Sequence, residues 1–150
     1  MGLDMYLKAS KKMPRAVATL IMKSAPDDFR YGNDWVKTKT KIVTLVVEAA
    51  YWRKANAVHG WFVEEVQGGN DDCGYYAVTE EQLKALRDDC QAVLDGADPA
   101  NHNLVPRRGF FFGSTNVDEG YKDDLRDTIT MIDRTLKDYS GWNYEYWSSW

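Results

Sequence analysis

A single α+β domain, with three main helices packed on a small and largely antiparallel sheet, is the fold class predicted by three observations. Apolar residues recur with period two in some segments and with helical period in others. The two kinds of segment interleave along the chain. A length of 150 residues suits one domain that buries about two thirds of the surface of its unfolded chain. No internal repeat, low-complexity stretch or linker divides residues 1–150, so they are read as one unit.

The elements follow in order. Residues 2–8, "GLDMYLK", alternate Leu3, Met5 and Leu7 with Asp4, Tyr6 and Lys8, the signature of a half-buried strand. In 13–37, Pro14 can open a short helix through "RAVATLIMKSA", whereas "PDDFRYGND" reads as a loop. The β-branched run at 39–50, "KTKIVTLVVEAA", suits a buried strand ending near Glu48. From 51, "YWRKANAVHGWF", the pattern turns helical through Val66 and stops at Gly68 and Gly69. On that wheel Trp52, Ala55, Phe62, Val63 and Val66 share one side with His59 near its middle and Asn56 at its edge. Arg53, Lys54, Trp61, Glu64 and Glu65 fall on the other half.

Residues 75–78 read as a short strand. "TEEQ" has capping-box spacing, with Thr79 as N-cap and Gln82 reaching back, for a helix over 80–95 that buries Leu83, Leu86, Cys90, Val93 and Leu94. A loop spans 97–108. In "GFFFGST" (109–115) three consecutive rings cannot share one face of a strand, so Phe111 points opposite to Phe110 and Phe112. Ser114, Thr115 or Asn116 is expected to cap a helix over 117–138 with Tyr121, Leu125, Ile129, Ile132 and Leu136 inward. Alternation in 142–150 predicts a last strand.

Composition bounds function. Hydrophobic residues at 44% and charged residues at 28% are ordinary, whereas six Trp and nine Tyr make large rings the one excess. A net charge of −4 disfavours a broad, nonspecific grip on nucleic acid phosphates, though a small local basic patch remains allowed. Cys73 and Cys90 form no close pair and only His59 and His102 accompany them, so neither a metal nor another cofactor is expected. The start lacks a signal-peptide pattern and no stretch approaches the length of a membrane span, which predicts a cytoplasmic protein with free thiols and no membrane partner.

For a site, His59 on an apolar face reads first as a core histidine with both ring nitrogens bonded. The functional alternative makes it a ligand donor or proton carrier between aromatic walls. "FGST" before a helix resembles a phosphate-holding turn, but Asp118 and Glu119 occupy the same positive helix end. Arg107, Arg108, Arg53 and Lys54 are the reserve of anion-binding charge. Trp52, Arg53, His59, Arg108, Phe111 and Ser114 therefore form the candidate ligand-binding set. No G-x-S-x-G, H-E-x-x-H or glycine-rich dinucleotide motif appears, and catalysis by His59 with a carboxylate of 118–124 is the least supported reading.

"MGLDMYL", "YWRKANAVHGWFVEEVQ", "CGYYAVTEEQL", "GFFFGSTNVDEGY" and "SSW" together resemble a family of small bacteriophage and prophage proteins for which no activity is established. The resemblance covers 1–8 and 48–150. It implies a cytosolic accessory protein of infection that counters host defence. Such a protein would sequester a nucleotide-like ligand or, as the alternative, inhibit a host defence complex by direct contact in the manner of an anti-CRISPR protein. This rests on genomic company rather than on site chemistry.

Overall fold

The computed structural model describes residues 2–24, 42–109 and 112–150. Strand β1 (Asp4–Pro14) leads to helix α1 (Arg15–Ser24), β2 (Ile42–Arg53), α2 (Asn56–Glu65), β3 (Tyr76–Val78), α3 (Glu80–Leu94), a 3-10 turn (Pro99–His102), α4 (Glu119–Asp138) and β4 (Asn143–Ser149). The strands form one sheet in the order β2-β1-β4-β3, and each neighbouring pair is antiparallel. The α+β fold follows from the alternation. Met5, Leu7 and Ala9 of β1, Val47 and Trp52 of β2, and Tyr144 and Tyr146 of β4 turn inward to the core shared with α2, α3 and α4.

β1 runs on past the predicted end at Lys8 to Pro14. Met13 there enters a second small apolar cluster with Ala18 of α1 and Leu45 of β2, so burial resumes after the exposed Lys11 and Lys12. The short helix allowed after Pro14 is α1. The loop expected at 26–34, "PDDFRYGND", lies outside the described residues, as do 39–41 of the predicted second strand.

β2 does not end near Glu48. Leu7 pairs with Ala50 and Lys8 with Glu48, which leaves Ala49 as the extra residue of a β-bulge. The bulge shifts the inward phase from Leu45, Val47 and Ala49 to Ala50 and Trp52. Thr135 of α4 donates its hydroxyl to the Ala49 carbonyl at 3.3 Å. Tyr51, Trp52 and Arg53 thus remain in the strand, opposite Tyr6, Met5 and Asp4, and the expected helix begins only at Asn56. Lys54, at φ 61, makes the turn between them, and its amide donates to the Leu3 carbonyl at 2.8 Å.

α2 is buried on every side from Asn56 to Val63. Trp61, expected on the solvent half of the wheel, is 1% exposed. Its indole N–H donates to Asp89 Oδ2 of α3 at 2.9 Å, and Asp89 Oδ1 lies 2.7 Å from His102 Nδ1. The capping box of α3 forms as predicted, with both Thr79 and Gln82 bonded to the opposite backbone amide. Cys90 is a fully buried core residue whose thiol burial pushes up to about 12, out of nucleophile range. The cap of α4 is Asp118, which accepts from the Tyr121 amide, and not Ser114, Thr115 or Asn116. Residues 112–117 form no strand. Phe112 is buried, while Phe110 and Phe111 lie outside the described residues.

Candidate functional site

The polar residues of "YWRKANAVHGWF" act as pins of the fold. Asn56, 4% exposed, donates through Nδ2 to the carbonyls of Phe112 and Ser114 at 3.0 and 2.8 Å, and accepts from the Arg107 amide at 3.0 Å. One buried amide thereby fixes three backbone groups of the loop before α4. Gly60 has a different task. A Cβ there would stand 2.5 Å from Arg107 Nε, because the Arg107 side chain lies across the glycine to reach Glu64 at 2.5 Å.

His59 has no exposed area. Its Nε2 lies 3.1 Å from both oxygens of Asp71, and its Nδ1 lies 2.8 Å from the Tyr146 hydroxyl. A carboxylate only accepts, so Nε2 carries the proton and Nδ1 accepts from Tyr146. Asp71 also accepts from Trp150 Nε1 at 3.1 Å. Phe112 stands edge-on to the imidazole with centroids 5.4 Å apart. Burial lowers the His59 pKa from 6.5, Asp71 opposes this and Arg107 adds to it. Burial raises the Tyr146 hydroxyl well above 10. Both groups stay neutral at neutral pH.

The five described residues of the predicted site do not line one hollow. Trp52 is a core residue whose indole N–H donates to Thr128 at 2.9 Å. His59 is sealed in the core between Asp71, Tyr146 and Phe112. The Arg53 side chain is 64% exposed, beside Asp4. Arg108 and Ser114 are exposed loop residues, and Phe111 lies outside the described residues. The break at Lys54 explains the separation, because it puts Arg53 on a strand and His59 on a helix. His59 bonds to Asp71 rather than to a carboxylate of 118–124.

Two grooves on the described surface flank α4. One, of about 450 Å³, runs between α3 and α4 along Gln91, Leu94, Lys122, Arg126 and Ile129; its cations are paired with Glu119 and Asp123. The other, of about 260 Å³, lies between β2 and α4 and is lined by Glu48, Ala50, Tyr51, Thr130, Met131 and Arg134.

The second groove opens beside a surface the sequence reading passed over. Among the described residues no helix covers the sheet face opposite the core. Across that face runs a ladder of rings. Tyr6 stacks on Trp147 with centroids 4.4 Å apart and planes at 10°, Tyr75 stacks on the other side of Trp147 at 5.5 Å, and Tyr51 tilts against Tyr6 at 5.2 Å. Lys8 Nζ sits 5.2 Å from the Tyr75 ring and 5.4 Å from that of Trp147. In the register Lys8 lies between Glu48 and Glu145, and Asp4 lies opposite Arg53. The Tyr51 hydroxyl donates to Asp4 at 2.5 Å, and that bond above all pushes its pKa up to about 12, so it remains a neutral phenol. Trp147 Nε1 has no acceptor among the described residues. Tyr6 on the polar phase of the predicted first strand was the available signal.

Electrostatic strain lies elsewhere, on α4. Burial first, then Asp127, Asp123 and Asp118, raise the Asp124 carboxyl to about 6. The folded state holds this proton to higher pH than the unfolded state does. Its stabilising contribution is complete below the unfolded value of 3.8 and is lost as pH rises through about 6. Asp124→Asn is therefore expected to stabilise by about 1 kcal/mol at pH 7, allowing for solvent screening of a half-buried group, with no gain near pH 4. Thermal melts of both proteins at the two pH values check this.

Comparison with protein family models, with curated proteins and with solved structures finds no match. Among the described residues no helix is long and apolar enough to cross a membrane.

Proposed function

We propose that this chain is a non-catalytic binding protein that recognises a partner protein through the open face of its sheet. The observation that carries this reading is the ring ladder Tyr51–Tyr6–Trp147–Tyr75 with its flanking charges. Tyr, Trp and Arg are the residues that concentrate binding energy at protein interfaces. Tyr6 and Trp147 cover one another's faces in the middle of the ladder, while Tyr51 and Tyr75 at its ends, 39% and 59% exposed, are the ring area that a partner meets.

Charges of alternating sign, Glu48–Lys8–Glu145 and Arg53–Asp4, suit a partner protein with basic groups opposite the two glutamates and a carboxylate opposite Arg53. They do not suit a run of phosphates. The groove of about 260 Å³ beside Tyr51 falls below the size usual for small-ligand pockets but takes one anchoring side chain of such a partner. In the infection setting that the sequence resemblance implies, this face would let the protein obstruct a host defence complex directly. The nucleotide-sequestering alternative has less support, because its residues are divided between core and surface.

The test pairs two measurements. Immobilised wild-type protein is expected to retain a host protein that Tyr51→Ala/Tyr75→Ala loses by at least tenfold and that Lys84→Ala, on α3, retains in full. Calorimetry against a panel of cyclic and linear nucleotides is expected to show no heat of binding. Nucleotide binding, or capture insensitive to the two tyrosines, would sink the proposal.

A further inference from the structure

The net charge of −4 hides a division. Residues 1–47 carry nine Lys and Arg against four Asp and Glu, whereas residues 48–150 carry ten against nineteen. From residue 5 to residue 24 there are five cations and no carboxylate. The fold keeps the described part of this charge together, because β1, α1 and the start of β2 form one lobe around Met13, Ala18 and Leu45. Lys11 and Lys12 stand exposed on β1, followed by Arg15 at the start of α1. Lys12 looks outward on the open face of the sheet and Lys11 to the opposite side, so the end of β1 carries a cation on each side. No ion pair with a described carboxylate engages Lys11 or Lys12, whereas several cations of the body, such as Lys122 and Arg126, are held by acidic neighbours.

We infer that the β1–α1–β2 lobe is a second binding surface, for the phosphate backbone of nucleic acid, with Lys11 and Lys12, beyond the Glu48–Lys8–Glu145 row, as its principal contacts. Local field, not net charge, determines where a polyanion settles. The acidic body repels the strand everywhere else and confines it to this lobe. The earlier expectation that the net charge disfavours a broad grip is thus narrowed to a short footprint at one end of the molecule.

A lipid surface is the weaker occupant. α1 has ten residues, and Val17 and Leu20 are its exposed large apolar side chains among those described, little area for an interfacial helix. An acidic protein would be favoured by arginine forks, whereas this lobe presents mostly lysines, which act as point charges.

The test measures anisotropy of a fluorescent oligo-dT strand and of a short duplex against the full chain at several salt concentrations. The expected result is binding at low salt, with log K falling against log salt with a slope of about −1 to −2, as two neutralised phosphates require. Lys11→Glu/Lys12→Glu is expected to weaken it by at least tenfold. Lys84→Glu/Lys137→Glu, which changes the net charge equally on the acidic body, is expected to change it less than twofold, with melting curves confirming that both variants fold. Absence of low-salt binding, equal losses in the two variants, comparable affinity for poly-glutamate, or binding confined to phosphatidylserine vesicles would each overturn the inference. The tyrosine variants above leave these lysines in place, so the two proposals fail independently.

Discussion

His59→Ala is expected to destabilise the protein by about 3–5 kcal/mol in chemical denaturation. The imidazole has no exposed area, so its removal leaves a cavity at the centre of the core. It also strands the Tyr146 hydroxyl, which loses its partner at 2.8 Å, and takes one bond of 3.1 Å from Asp71, which keeps that of Trp150 Nε1. Water cannot reach the phenol in compensation, because Tyr146 is itself unexposed.

The pH dependence has a definite sign. Burial depresses the folded pKa of His59 below 6.5, so the unfolded chain takes up the proton first. Its contribution is present above 6.5 and is lost as pH falls through the lowered folded value. The wild type should therefore lose stability on acidification in a window where His59→Gln loses less. A destabilisation under 1 kcal/mol, or identical acid slopes in the two proteins, would contradict the assignment of His59 as a neutral core pin.

Asn56→Ala is expected to cost about 2–4 kcal/mol. Its single amide serves the Arg107 amide and the carbonyls of Phe112 and Ser114, groups on a segment without regular structure of its own. The effect has a local signature. Amide hydrogen exchange should accelerate over 105–109 and 112–114, while the protection of α3, to which Asn56 makes none of these bonds, changes only with global stability. Asn56→Asp separates the roles, since a carboxylate still accepts from Arg107 but cannot donate to the two carbonyls. Unchanged exchange in the Asn56→Ala loop would show that the clamp is not what orders it.

The α3 helix was legible because every signal for it is local. Thr79 and Gln82 stand at capping-box spacing, and Leu83, Leu86 and Cys90 repeat on one face. The start of α2 was not legible. Trp52 falls inward on a helical wheel and inward on a strand alike, so periodicity could not choose between them. Pairing with Met5 chose, and that information lies far along the chain. Trp61 shows the converse: its place on the polar half of the wheel was overridden because Asp89 and His102 close over its indole nitrogen. The cap of α4 was displaced to Asp118 for a related reason, since the Asn56 clamp holds the Ser114 carbonyl and keeps the preceding loop out of the helix.

Alternation and helical spacing determined by themselves that this is an α+β chain with an antiparallel sheet, and the apolar face of α2 determined that His59 would meet the core, because these depend on neighbours a few residues away. Only the tertiary structure decided that Arg53 and His59 part company at Lys54, that Asp71 and Tyr146 complete the histidine's bonds, and that Tyr6, Tyr51, Tyr75 and Trp147 gather on one open face. Each of those outcomes joins residues from different strands or loops, and strand register, which no short window of sequence specifies, is what brings them within contact distance.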